Sequence, residues 1–192
     1  AFDFADLIVK DDKVFYKDLE ADQFIFCDGV QGHNNPFFSL LPFALNKGEA
    51  LIIEAPDLPS NFIYKKSMTL APFAEPGTFW TGTKYIWEFE DDLPTFTFRT
   101  ATEHTLKSWL KVPFKVIDHK AALRPATIER RPFAGFHPLY RNVGILNGMG
   151  TKGCSLAPYF AHQLVENILH EAPIEKDADI ARHSRILSRT SL

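Results

Sequence analysis

Short apolar runs separated by polar and turn-forming residues fill most of the chain, and helical spacing of apolar residues takes over near its end. Leu7-Ile-Val9 and Val14-Phe-Tyr16 flank the polar Lys10-Asp-Asp-Lys13 and predict a hairpin. Phe24 to Cys27, between Ala21-Asp22 and Gly29, predicts a short buried strand. Ala50 to Ala55, Met68 to Ala71 and Thr78 to Tyr85 read as further strands, with Glu75-Pro-Gly77 turning between the last two. Thr95-Phe-Thr-Phe-Arg99 alternates with period two, yet its neighbours suit the approach to a helix, so the pattern leaves both open. Thr100-Ala-Thr-Glu103 matches a capping box ahead of Leu106, Trp109 and Leu110, which predicts a helix over residues 101–111 ended by Val112-Pro113. Residues 114–119 and 120–123 read as extended, 131–135 as the approach to a turn, and 144–147 as a buried strand. A helix should then begin near Ser155, with Pro158 in its first turn and Phe160, Leu164, Val165, Ile168 and Leu169 on one face. After Ala172-Pro173 the charged run Asp177 to Arg189 reads as a solvated or fraying helical tail. Strands outnumber helices without βαβα repetition, which predicts an α+β fold with a mixed, largely antiparallel sheet.

Composition narrows the function classes. The 192 residues are 45% hydrophobic with 18 Phe, enough for a packed core of about one domain. A net charge of −3 without a Lys/Arg-dense stretch gives no electrostatic footprint for nucleic acid. No apolar run approaches the ~20 residues of a membrane span. Two cysteines, Cys27 and Cys154, do not suggest a disulfide framework, so a soluble, cytoplasmic setting is expected. The seven His show no metal-ligand spacing, and no metal is expected. The chain opens Ala-Phe-Asp-Phe without Met or a signal-peptide pattern, which reads as a cut with sequence upstream.

The candidate chemistry lies in residues 143–158, where an apolar strand runs through Gly148-x-Gly150-x-x-Gly153 into a helix. A dinucleotide fingerprint opens a βαβ unit, but no second apolar strand follows this helix, so the loop is not a Rossmann opening. Closely spaced glycines at a helix start still let backbone N–H groups approach an anionic or electron-rich ligand.

Leu123-Arg-Pro-Ala-Thr127, Pro132-Phe-Ala-Gly135 and Asn142 precede this loop in order, and Ala157-Pro158 follows it. Together these strings resemble the C-terminal half of the FAD-dependent amino-acid oxidoreductases related to D-amino acid oxidase and glycine oxidase. Upstream, Ala21-Asp22 to Gly29 resembles that family's return to the FAD domain, Lys47-Gly48-Glu49 its Pro-x-Lys-Gly-Gln turn, and Gly82-Thr83 its Gly-Thr strand. The sequence departs from the pattern at Met149, where the family has His, at Glu129-Arg130-Arg131, and at Ala122 in place of Gly.

The resemblance implies returning strands of the FAD domain in residues 1–30 and a substrate-binding domain in 31–140. It implies the final strand, flavin loop and helix of the FAD domain in 141–172, with a helical tail in 173–192. It further implies that Gly29, Gly148, Met149, Gly150, Thr151, Lys152, Gly153, Cys154 and Ser155 line the cofactor, with backbone N–H groups from Gly150 to Ser155 facing the flavin ring. Arg124 would pair with the carboxylate of an amino acid or related amine, assisted by Lys47, and hydride transfer to FAD would need no protein nucleophile. The βαβ unit that binds the diphosphate is absent here, so the implied partner is an N-terminal FAD-binding half. Without it, FAD would bind weakly or not at all, and exposed apolar surface would favour self-association. Read without the resemblance, Arg124 is a strand arginine in an ion pair, Lys47 a solvated turn lysine, the glycine loop a tight turn, and Tyr64, Tyr85 and Trp87 sheet packing. Alternatives are a flavin-free relative that is inert or only binds, and an enzyme for a hydroxy acid or a modified-tRNA amine.

Overall fold

The computed structural model describes residues 2–10, 12–82 and 85–190, and is α+β. Asp11, in the expected first turn, and Thr83 and Lys84, within the expected Thr78 to Tyr85 strand and the Gly82-Thr83 string, lie outside the described residues. The chain divides into two compact units, one formed by Ala1–Leu45 with Arg124–Leu192 and the other by Asn46–Leu123. Residues 31–45 and 124–140 therefore cluster with the first unit.

In the first unit, β1 (Leu7–Lys10), β2 (Lys13–Tyr16) and β3 (Leu19–Ala21) form an antiparallel meander, one strand more than the expected hairpin. A second sheet has β4 (Phe24–Phe26) pairing in parallel with β11 (Val143–Asn147), which pairs antiparallel with β10 (Phe133–Phe136). The expected turn approach at 131–135 is thus largely strand, because Gly135 at φ +128° carries the backbone through without breaking the ladder. Successive side chains alternate between the sheet's faces. Phe24, Phe26, Phe133, Val143 and Ile145 join an aromatic-rich core with Phe37 and Phe38. Ile25, Ala134 and Leu146 meet Phe160 and Leu164 of α2 (Gly153–His170) on the opposite face. Both faces are covered, as a parallel pair requires.

Helix α2 begins two residues before the expected Ser155, because a 3-10 turn at Gly150–Lys152 feeds directly into it. Pro158 accordingly lies beyond the first turn and removes one i−4 hydrogen bond. The charged tail does not fray. Ala178, Ile180 and Leu187 are fully buried, and the Ala134 N–H donates to the Ala178 carbonyl at 2.9 Å. Arg182 lies over the Phe133 ring and donates to the carbonyls of Asp179 and Pro132. Spacing of the three apolar residues, with a cation stacked on an aromatic face, outweighs the run's charge.

The second unit is a five-stranded sheet in the order β6 (Tyr64–Lys65), β7 (Thr69–Pro72), β8 (Thr78–Gly82), β5 (Asn46–Glu54) and β9 (Lys115–Arg124). Leu51, Ile53, Leu70 and Phe79 pack with Phe98 and Leu106 of α1 (Phe96–Trp109). This helix starts five residues before the expected 101. Its cap is Thr95, whose hydroxyl accepts the Phe98 N–H at 3.2 Å, and Glu103 instead pairs with Arg99 one turn back.

Candidate functional site

Parallel strands release their following loops at the same edge of a sheet, where α/β proteins hold ligands. After β4 the chain passes Cys27 and Asp28 to Gly29 at φ +56°, and after β11 it passes Asn147 to Gly148 at φ +76° and Gly150 at φ +54°. Asn147, 4% exposed, fastens the two loops together. Its amide nitrogen donates to the Asp28 carboxylate at 2.9 Å and to the Gly29 carbonyl at 2.8 Å, while its oxygen accepts the Gly148 N–H at 2.7 Å. The other Asp28 oxygen accepts from Asn35 at 2.9 Å. Asp28, Asn35 and Asn147 escaped sequence reasoning, since the only signal was a polar residue at or just after a strand end for Asp28 and Asn147, and Asn35, at the end of a 3-10 helix, gave none.

The string Arg124 to Thr127 backs the glycine loop. The Gly150 N–H donates to the Pro125 carbonyl at 3.0 Å, and a Cβ on Gly148 would stand 2.6 Å from the Thr127 methyl carbon. Arg124, half-buried, is the last residue of β9 and is not without a partner. Of the N–H groups expected to face a flavin, that of Gly150 is committed to Pro125 and that of Lys152 to the Met149 carbonyl at 3.0 Å. The other expected donors, Thr151 and Gly153 to Ser155, lie in the 3-10 turn and at the helix start. No side chain caps this start at Lys152, and a Cβ at Gly29 or Gly153 would meet nothing within 4 Å. Open backbone and an uncapped positive helix end suit an anionic or electron-rich group. Thr151, Lys152, Cys154 and Ser155 are exposed, whereas Met149 packs into the α2 core. Cys27 and Cys154 are free, and burial beside Asp28 pushes the Cys27 thiol above its usual range.

In the second unit Lys47 lies within β5 rather than in a turn, its backbone paired with Ile86 at 2.9 and 3.0 Å. Its side chain is 3% exposed and that of Glu49 is 0%. The Glu49 carboxylate accepts the Thr95 N–H at 2.7 Å, the Thr95 hydroxyl at 2.8 Å and His119 Nε2 at 2.9 Å. The Lys47 ammonium lies 4.0 Å from Glu49 Oε1 and 3.4 Å from Asp91 Oδ1. Tyr64 packs against Phe79, as expected of sheet packing, but Tyr85 and Trp87 are more than half exposed and stack on each other. Among the described residues no group of three His, Cys, Asp or Glu is placed to hold a metal, and no helix is long and apolar enough to cross a membrane.

No protein-family model matches the chain. Its structure is similar to that of iminodiacetate oxidase from Chelativorans sp. BNC1, with a TM-score of 0.70 at 19% identity, covering 93% of this chain and 51% of that one. Glycine oxidase from Geobacillus kaustophilus gives 0.68 at 18% identity, covering 97% and 52%. L-proline dehydrogenase from P. horikoshii gives 0.68 at 16% identity, covering 93% and 53%. The chain spans about half the length of these solved structures. At such identities the likeness is one of fold: over nearly its whole length, the chain has the fold of half of an amino-acid or amine oxidoreductase chain.

Proposed function

We propose that this chain is the substrate domain, with the closing strand, loop and helix of the cofactor domain, of an FAD-dependent oxidoreductase acting on an amino acid or related amine. The observation that carries this reading is the fastening of the Arg124 to Thr127 string onto the Gly148 to Gly153 loop through the Gly150 to Pro125 hydrogen bond. Two strings that are unrelated by sequence distance alone thereby become one surface. Residues 1–30 and 141–172 complete the cofactor domain, 31–140 hold the substrate and 173–192 brace the closing strands. An N-terminal half supplies the diphosphate-binding βαβ unit, and without it this chain self-associates and holds FAD weakly if at all.

When bound, FAD supplies the hydride acceptor. The Arg124 guanidinium receives the substrate carboxylate in a two-pronged pair, which fixes the α-carbon. Lys47, in the other unit, is a substrate contact in its own right. The helix start from Gly153 to Ser155 places N–H dipoles where negative charge develops, with Gly29 leaving room beside them.

The test is Arg124→Ala in the flavin-loaded full-length protein. Flavin content should stay unchanged, while kcat/KM for amine-dependent flavin reduction falls about 10²-fold, the scale of a lost buried charge pair. Unchanged reduction overturns the role of Arg124. A full-length protein that takes up no flavin favours the inert relative, and reduction only by a hydroxy acid or a modified-tRNA amine redirects the substrate class.

A further inference from the structure

We propose that the Lys47 ammonium is a receptor for a small carboxylate, and that Asp91 is the removable side chain holding that place. An ammonium carries three donors. Among the described residues this one, 3% exposed, makes a single long hydrogen bond, at 3.4 Å to Asp91. Glu49 is no substitute. At 4.0 Å it lies beyond hydrogen-bond reach, and its oxygens are held by three shorter bonds from Thr95 and His119, so turning toward Lys47 would uncap α1.

Asp91 is held far more loosely. It is 57% exposed, stands in the exposed run of residues 90–94, and otherwise accepts only the Leu93 N–H at 3.0 Å. Releasing a half-exposed ion pair is cheap, but it leaves a buried ammonium with no acceptor within hydrogen-bond reach among the described residues, Glu49 standing at 4.0 Å, and that is costly. Release is therefore favoured when a second carboxylate takes over. Such an exchange keeps the charge around Lys47 constant, which a neutral or cationic ligand does not. The freed Asp91, with Glu90 and Asp92 beside it in sequence, then forms a negative rim suited to a ligand with a positive group near its carboxylate. The inference rests on the proposed reading of Lys47 as a substrate contact, but its test needs no flavin.

The 192-residue chain is pulsed with a water-soluble acetylating ester, and modification of Lys47 and of the exposed Lys65 is followed by mass spectrometry. Lys47 should react more slowly than Lys65, and Asp91→Asn should accelerate Lys47 about two- to fivefold, the range set by a surface ion pair, with Lys65 unchanged. Sodium acetate should slow Lys47 in that variant, whereas sodium chloride at equal ionic strength should not. Asp92→Asn should have no effect. Protection of Lys47 by acetate in the unmodified chain is the arm that needs no variant. An unaccelerated Lys47 in Asp91→Asn, or equal effects of acetate and chloride, overturns the proposal and leaves Lys47 a structural ion. Expected labelling together with unchanged flavin reduction in Arg124→Ala keeps this site and removes the proposed role of Arg124, and the converse pair removes this exchange alone.

Discussion

Gly148 and Gly29 share a left-handed backbone but not a neighbourhood, and the difference separates folding from ligand binding. A Cβ at Gly148 meets Thr127 at 2.6 Å, whereas one at Gly29 meets open space. Gly148→Ala should lower stability by about 2–4 kcal/mol through strain and crowding together, and Gly29→Ala by about 1 kcal/mol through strain alone. Urea unfolding measures both. If the open space over Gly29 receives the flavin, Gly29→Ala in the full-length protein weakens flavin retention far more than it lowers stability, and equal losses sink that role. The glycines and the Arg124-Pro125 string were legible in the sequence because their constraints are local. The Asn147 clasp was not, since its bonds to Asp28 and Gly29 join residues 119 and 118 positions apart.

At the level of elements, α1 shows how a distant carboxylate selects a helix start. Thr95-Phe-Thr-Phe-Arg99 alternates like a strand, and on sequence alone the cap reads as Thr100, whereas the structure offers Thr95. Glu49, 46 positions upstream, settles the choice by binding both the N–H and the hydroxyl of Thr95. Thr95→Ala should therefore cost about 2 kcal/mol, a lost cap together with a buried carboxylate short of a donor. Thr100→Ala, inside the helix, should change stability by less than about 0.5 kcal/mol. Faster amide exchange over residues 96–99 in Thr95→Ala alone checks the assignment, and comparable effects of the two variants refute it. The same competition explains why the strands were read well and the helix starts poorly. Strand faces follow a two-residue rule within themselves, but a start depends on which partner reaches it.

For the whole molecule, the buried imidazole of His137 ties stability to acidity. Its Nδ1 accepts the N–H groups of Leu139 and Tyr140 at 3.1 and 3.3 Å, and Nε2 faces the Thr190 hydroxyl at 3.4 Å, joining the end of β10 to the tail. Burial lowers its pKa to about 4, from 6.5. The unfolded chain therefore binds this proton more readily. The resulting stability is complete above pH 6.5 and is lost as pH falls toward 4, by at most about 3 kcal/mol. Burial shifts His183 in the same direction. Unfolding midpoints measured between pH 7 and 4 should fall steeply, and His137→Gln should flatten the curve. A curve as steep in that variant assigns the loss to other groups. The tail's anchoring was hidden in the sequence because its charged residues outnumber Ala178, Ile180 and Leu187, the three that decide where it goes.

The division of the chain into one contiguous and one interrupted unit has a consequence for synthesis. Residues 46–123 emerge from the ribosome as a complete unit, while β4 is made early and meets its partner β11 only after about a hundred further residues have been added. Throughout that interval Phe24, Ile25 and Phe26 lack the strand they pair with, and the Asn147 clasp between the two glycine loops cannot form. A nascent chain interrupted after Arg124 and before Asn147 can thus carry a finished five-stranded sheet without the Gly148 to Gly153 loop, which arises late and in a single closing step.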